Sequence, residues 1–227
     1  PVARDVLSQG LACGVQALMG AGVAALVFLW ARMAGYRARP ALWAALLTCC
    51  GTLVWKYTTD CFYEVPQGLL LAGAFVAALA ALRPGTSASR GLALAGGCAG
   101  GAWLVKATNV FSLPGVLAAW ALPYLQAQRE RGQWRPARLV LPFAAFTLTF
   151  LPFWVAEGLF DRWRYGAWFV PVHTRYPHFQ SPPWQAVPKL LLTALVSPGW
   201  GLLWYAPLAV FALGFAPGLV RRLGLYG

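Results

Sequence analysis

Long apolar runs, broken by short clusters of charge, dominate this chain. A helix that crosses a bilayer needs about 20 mainly apolar residues, and fewer where a span is short or interrupted. About seven runs meet that requirement, over residues 11–31, 41–57, 66–82, 91–105, 110–126, 139–157 and 201–220. The pattern predicts an all-α membrane protein, a polytopic bundle of about seven transmembrane helices forming one domain over residues 1–227. The fourth run carries Gly91, Gly96, Gly97, Gly100 and Gly101, and small residues of this kind let neighbouring helices approach closely. No repeat of 20 to 50 residues is evident, and no low-complexity linker divides the chain.

Between the sixth and seventh runs lies a segment of a different character. Residues 158–187 are dense in Trp, Tyr, Pro, His and Arg, and Pro171, Pro177, Pro182 and Pro183 predict an irregular loop. Residues 188–200 then read as a short interfacial helix followed by a Ser197-Pro198-Gly199 turn.

Composition sharpens this picture. Of the 227 residues 59% are hydrophobic and 11% charged, against about 25% charged in a typical soluble domain, so a soluble globular class is excluded. The mean hydropathy is +0.60. A net charge of +12 would suggest nucleic acid on a soluble protein, but here it lies between apolar runs and points to the bilayer. The 12 Trp suit two membrane interfaces. Cys13, Cys49, Cys50, Cys61 and Cys98 show neither a CxxC pattern nor ligand-like spacing, so neither a disulfide framework nor a zinc site is expected.

The distribution of charge predicts sidedness. One set of connections holds Arg32, Arg37, Arg39, Arg83, Arg90, Arg129, Arg131, Arg135, Arg138, Arg221 and Arg222, which is 11 of the 18 basic residues. Five of the six acids, Asp5, Asp60, Glu64, Glu157 and Asp161, fall on the other side. Short loops rich in Lys and Arg remain cytoplasmic. The chain is therefore expected to start outside, to end in the cytoplasm, and to bring residues 158–187 to the outer face. It opens on Pro1 with no leader-like stretch and reads as a fragment of a longer protein.

Ionisable residues at the edges of apolar runs are costly there unless paired or functional. Glu64, just before Pro66, and Lys106, at the end of the fourth run, are both expected at the outer side, facing one cavity. An ammonium there can hold a phosphate as a point charge. A structural salt bridge or snorkelling side chains also accounts for the pair, and spacing alone favours that reading. Lys56 and Asp60 flank the same turn beside Tyr57, Phe62 and Tyr63, as an extension of the cavity wall or a solvated rim. In the long segment, Arg162, Arg164 and Arg175 interleave with Trp163, Tyr165, Trp168 and Tyr176. That mixture suits a sugar or diphosphate and equally suits lipid head groups. His173 and His178 have no accompanying acid cluster, which disfavours a metal site between them. No nucleotide-binding pattern appears in a strand-turn-helix context.

The ordered stretches FLWARMAG, WKYTTDCFYEVPQGLLLAGA, GGCAGGAWLVKATNVFSLPGVL, RWRYGAWFVPVHTRYP and ALVSPGWGLLWYAPL resemble the bacterial membrane glycosyltransferases of the GT-C fold. They are most similar to the polyprenyl-phosphate-sugar-dependent branch that includes protein mannosyltransferases and the aminoarabinose transferase of lipid A. The resemblance covers nearly the whole chain. It implies a polyprenyl-phosphate sugar donor, a lipid, glycan or protein acceptor, no nucleic acid, and a place in the bacterial inner membrane. It aligns Glu64 with a helix-start acid and Lys106 with a Thr-Lys-Pro-like element, both lining the outward cavity, and it allows Glu64 to help hold a divalent metal ion. Asp60, Arg162, Arg164 and Arg175 are the further substrate-binding candidates. Val65 intervenes before Pro66, Ala107 stands where the family has Pro, and Trp200 stands where a subgroup has Lys. The family's catalytic acid lies in a first outer loop that follows a first span, so that loop and span are expected upstream of this chain. Asp5 is the one upstream carboxylate and matches that acid poorly, and the fragment alone is expected to be inactive. A transporter or flippase of lipid-linked sugars, or a non-catalytic membrane subunit, is the alternative.

Overall fold

A computed structural model describes residues 2–52, 54, 57–58, 63–130, 137–170, 188–189 and 192. Among the described residues six α-helices carry the fold: α1 (Val2–Met33), α2 (Ala38–Cys50), α3 (Glu64–Ala80), α4 (Ala88–Val105), α5 (Leu113–Glu130) and α6 (Ala137–Tyr165). A 3₁₀ helix, Ala107–Ser112, links α4 to α5, and no strand occurs among the described residues. The expected seventh span, over 201–220, lies outside the described residues.

Local chemistry sets the helix ends. Met33 is followed by Ala34 and by Gly35 at φ +86°. Gly35 N–H donates to the Arg32 carbonyl and Tyr36 N–H to the Ala31 carbonyl, the paired bonds that close a helix on a left-handed glycine. Ser87 caps α4 through its hydroxyl, which accepts from Arg90 N–H at 3.5 Å. Pro66 sits in the first turn of α3, where its lack of an N–H costs nothing.

Two sequence expectations change in detail. The second run predicts a helix over 41–57, whereas α2 ends at Cys50, capped by Gly51. Its 13 residues span only about 20 Å, less than the bilayer core. In the other direction, α6 continues to Tyr165, through eight residues read as the start of the loop. No proline occurs between Pro152 and Pro171 to stop it, and the turn comes instead at Gly166, φ +76°.

α4 packs between α3 and α6, making the two most extensive helix–helix contacts among the described residues. Gly91, Leu92, Ala95, Gly96, Ala99, Gly100 and Ala102 are all buried. On one side α4 runs antiparallel to α3, with Gly101 against Leu70 and Cys98 against Gly73. On another side it runs parallel to α6, and a Cβ at Gly96 would collide with the Phe146 carbonyl and the Thr149 hydroxyl. One turn on, a Cβ at Gly100 would collide with the Phe153 ring. Backbone therefore meets backbone here, and dispersion contacts that larger residues would prevent hold the pair. Across this seam the Thr149 hydroxyl donates to the Ala93 carbonyl at 2.7 Å. Trp120 of α5, fully buried, stacks on Tyr124 at 4.9 Å and meets Phe143 of α6 edge-on at 5.6 Å.

Outside this centre the surface is apolar. Leu11, Leu18, Val140, Leu141 and Leu148 are each more than 60% exposed. Among the described residues three helical segments, Gly10–Met33, Asn109–Glu130 and Ala137–Tyr165, are long and apolar enough to cross a membrane. An apolar exterior of this extent has no stable place in water, and the three helices fit a membrane protein.

Gly96→Leu is expected to lower the folded fraction sharply in a detergent thermal-unfolding assay, since a clash with a carbonyl has no flexible side chain to absorb it; such overpacking costs about 1–3 kcal/mol. Gly97→Leu, whose Cβ meets nothing within 4 Å, is expected to leave the midpoint nearly unchanged. Equal losses from both would contradict the seam described above.

Candidate functional site

One end of the bundle gathers the start of α3, the end of α4, the 3₁₀ helix and the end of α6. Helix directions dictate this: contacts of Gly22 with Leu69 and of Leu26 with Gly73 make α1 and α3 parallel, while α4 returns antiparallel to α3. Tyr63, Glu64 and Lys106, 43 residues apart in chain at their closest contact, therefore meet at one mouth. Lys106 ends α4, where its charge faces the negative end of the helix dipole. Glu64 occupies the first turn of α3, where a carboxylate faces the positive end.

The two do not form an ion pair with each other. The Lys106 ammonium donates to the Tyr63 hydroxyl at 3.3 Å and lies 5.0 Å from the centre of that ring, a cation–π arrangement. Tyr63 is 47% exposed, so the ammonium is held at the rim by a neutral partner. The Glu64 Oε2 atom is buried and has no hydrogen-bond partner among the described residues.

Beneath this rim lies a small amide relay that sequence reasoning did not single out. Asn109, 6% exposed, donates from Nδ2 to the Ala102 carbonyl at 2.7 Å. Its Oδ1 then accepts from Gln67 Nε2 at 2.6 Å. Asn109 N–H also donates to the Lys106 carbonyl at 2.9 Å, tying the relay to the turn that carries the lysine. The available signal was position: Gln67 follows Glu64 by three residues and Asn109 follows Lys106 by three, spacings that put side chains on a shared helical face.

The arginines of the long segment have local tasks. Arg162 is exposed and donates from Nη1 to the Gly166 carbonyl at 2.9 Å, closing the C-terminus of α6. Arg164, also exposed, lies over Phe160 at 5.7 Å and Tyr165 at 5.4 Å. Both are at the same end of the bundle as Lys106 by the parallel course of α4 and α6. Asp161, missed as a structural residue, is fully buried and accepts from Val170 N–H at 2.8 Å. It folds residues 166–170 back onto α6, where Phe169, at φ +49°, stacks on Trp154 at 4.3 Å. Asp5 falls in the first turn of α1. Asp60, Arg175, His173 and His178 lie outside the described residues, and no group of three or more metal-ligating residues occurs among the described ones.

A cavity of about 550 Å³ opens between α1, α3 and α5, lined by Leu26, Trp30, Phe75, Leu79, Leu122 and other apolar or glycine positions. At the end of the bundle opposite the mouth stand Arg32, Arg37, Arg39, Arg83, Arg90, Arg129 and Arg138. No family model matches this chain, and no curated protein or solved structure is similar to it.

Two outcomes test this geometry. Cysteines placed at Tyr63 and Lys106 in a cysteine-free background are expected to react with a membrane-impermeant maleimide from the same side of sealed vesicles; reaction from opposite sides would break the site. Asp161→Ala is expected to destabilise the protein by about 1–3 kcal/mol, as a buried donor loses its acceptor, and to increase proteolytic cleavage near residues 166–170, with Asp161→Asn milder in both.

Proposed function

We propose that the intact protein is a membrane glycosyltransferase that moves a sugar from a polyprenyl-phosphate donor to an acceptor at the extracytoplasmic face. The observation that carries this reading is the Lys106 ammonium, held at the mouth by Tyr63 with no carboxylate counter-ion among the described residues. A cation so placed has its charge available for an anionic head group. Two features add support: the apolar cavity between α1, α3 and α5, sized and lined for a hydrocarbon chain, and the seven arginines at the far end, which fit a cytoplasmic face.

In this reading the acceptor hydroxyl attacks the anomeric carbon as the bond from that carbon to the phosphate oxygen breaks. The acceptor proton passes to a base, which the family resemblance puts in an outer loop preceding α1. The electron pair leaves with the lipid phosphate, and Lys106 stabilises the charge that accumulates there. Preorganised charge of this kind contributes on the order of 10²–10³ in rate. Glu64 orients the head group, or joins in holding a divalent ion if one is used. Arg162 and Arg164 remain at the same end with donors to spare for phosphate oxygens. A flippase for lipid-linked sugars would use the same rim and cavity without bond cleavage; transporters often build their sites at helices interrupted near the bilayer midplane, whereas the 3₁₀ helix here joins α4 to α5 at the mouth, which favours transfer.

In lipid, with a defined polyprenyl-phosphate sugar, Lys106→Ala in the full-length protein is expected to cut release of polyprenyl phosphate by about 100-fold or more. Glu64→Gln is expected to reduce it as well, with expression retained. Unchanged turnover in both variants would overturn these roles, and translocation of intact donor without cleavage would establish the flippase.

A further inference from the structure

Two buried acceptor oxygens lie on the start of α3, each with no hydrogen-bond partner among the described residues. Asn109 Nδ2 must face the Ala102 carbonyl, because only the amide nitrogen donates. That fixes Asn109 Oδ1 toward Gln67 and selects Gln67 Nε2 as its partner. The Gln67 oxygen is consequently turned away from the relay, and it is buried with no hydrogen-bond partner among the described residues. Glu64 Oε2 is in the same condition, and the two residues are three apart on α3, neighbours on one helical face. A buried acceptor without a donor is costly, and a ligand that brings donors removes that cost.

The chemistry of such a ligand is restricted. A phosphate supplies acceptors and negative charge, and suits Lys106 rather than these oxygens. A hydrocarbon chain supplies nothing. Hydroxyl groups donate, and neighbouring hydroxyls on one ring match two acceptors on one helical face. We propose that Glu64 Oε2 and Gln67 Oε1 form a sugar-hydroxyl subsite adjacent to the phosphate position at Lys106, with Asn109 as the residue that positions Gln67. This inference rests on the reading of the protein as one that binds a polyprenyl-phosphate sugar, and it assigns recognition of the sugar ring to the start of α3.

The test compares two probes on the full-length protein in lipid nanodiscs: a short-chain isoprenyl phosphate hexose and the same isoprenyl phosphate without a sugar. Wild type is expected to bind the sugar-bearing probe about tenfold more tightly, as added hydrogen bonds to buried acceptors allow. Gln67→Met is expected to erase that preference while leaving the affinity for the bare isoprenyl phosphate unchanged, and Asn109→Leu to shift it in the same direction. Lys106→Met is expected to weaken both probes together. Gln67→Leu serves if Gln67→Met fails to assemble. A full preference retained in the Gln67 variant would overturn the subsite and leave the proposed function standing. Loss of affinity for both probes in that variant would also overturn it, showing a structural role for Gln67. Failure of wild type to bind either probe would overturn both the subsite and the reading on which it rests.

Discussion

How near α4 can come to α3 and α6 sets where the mouth forms. In lipid there is little hydrophobic gain in moving a leucine from acyl chains to a helix interface, so helices associate through close packing and a few polar contacts. Gly96 and Gly100 let the backbone of α4 reach α6, while Gly101 and Gly73 keep α4 and α3 in contact. The Thr149 bond to the Ala93 carbonyl adds a directional link to that seam. With α4 between them, α3 and α6 are fixed in position, and so are the ends they present. The mouth is where those ends converge.

At that mouth the partners are not the ones that opposite charge alone would choose. Lys106 and Glu64 are close enough in the bundle to share it, yet the ammonium is held by a phenol and the carboxylate is turned inward. Each sits at the end of a helix whose dipole favours its charge, so each has an alternative to neutralising the other. The consequence is a cation at the rim and, at the start of α3, two buried acceptor oxygens with no partner among the described residues. This separation of donor and acceptor character underlies both the proposed transfer and the proposed sugar subsite. Gln67 and Asn109, neutral residues, matter because a fixed amide orientation decides which atom is left without a partner among the described residues.

The end of α6 illustrates a different use of polar groups near an apolar surface. Arg162 and Asp161 both bind backbone, one at the Gly166 carbonyl and the other at the Val170 N–H. Together they let the helix stop and the chain double back, with Phe169 against Trp154. Residues rich in charge and aromatics can thus be spent on closing a helix, and Arg162 meets a backbone need before any ligand arrives.

The helical content, the existence of the first six helices and three helices that fit a membrane protein were legible from run length, because a bilayer demands about 20 apolar residues per span whatever the neighbours do. The same applies to the importance of small residues in α4 and to the common side of Glu64 and Lys106, which follows from counting crossings. Tertiary structure alone decided that α2 stops at Cys50, that α6 runs to Tyr165, and that Lys106 chooses Tyr63. It alone revealed the relay from Ala102 through Asn109 to Gln67. These depend on which helices touch and at what register, and a single sequence records a residue's type but not the atom it will face. Hydrophobic runs are imposed by the solvent and can be read locally, whereas hydrogen-bond partners between distant segments exist only after packing has brought them together.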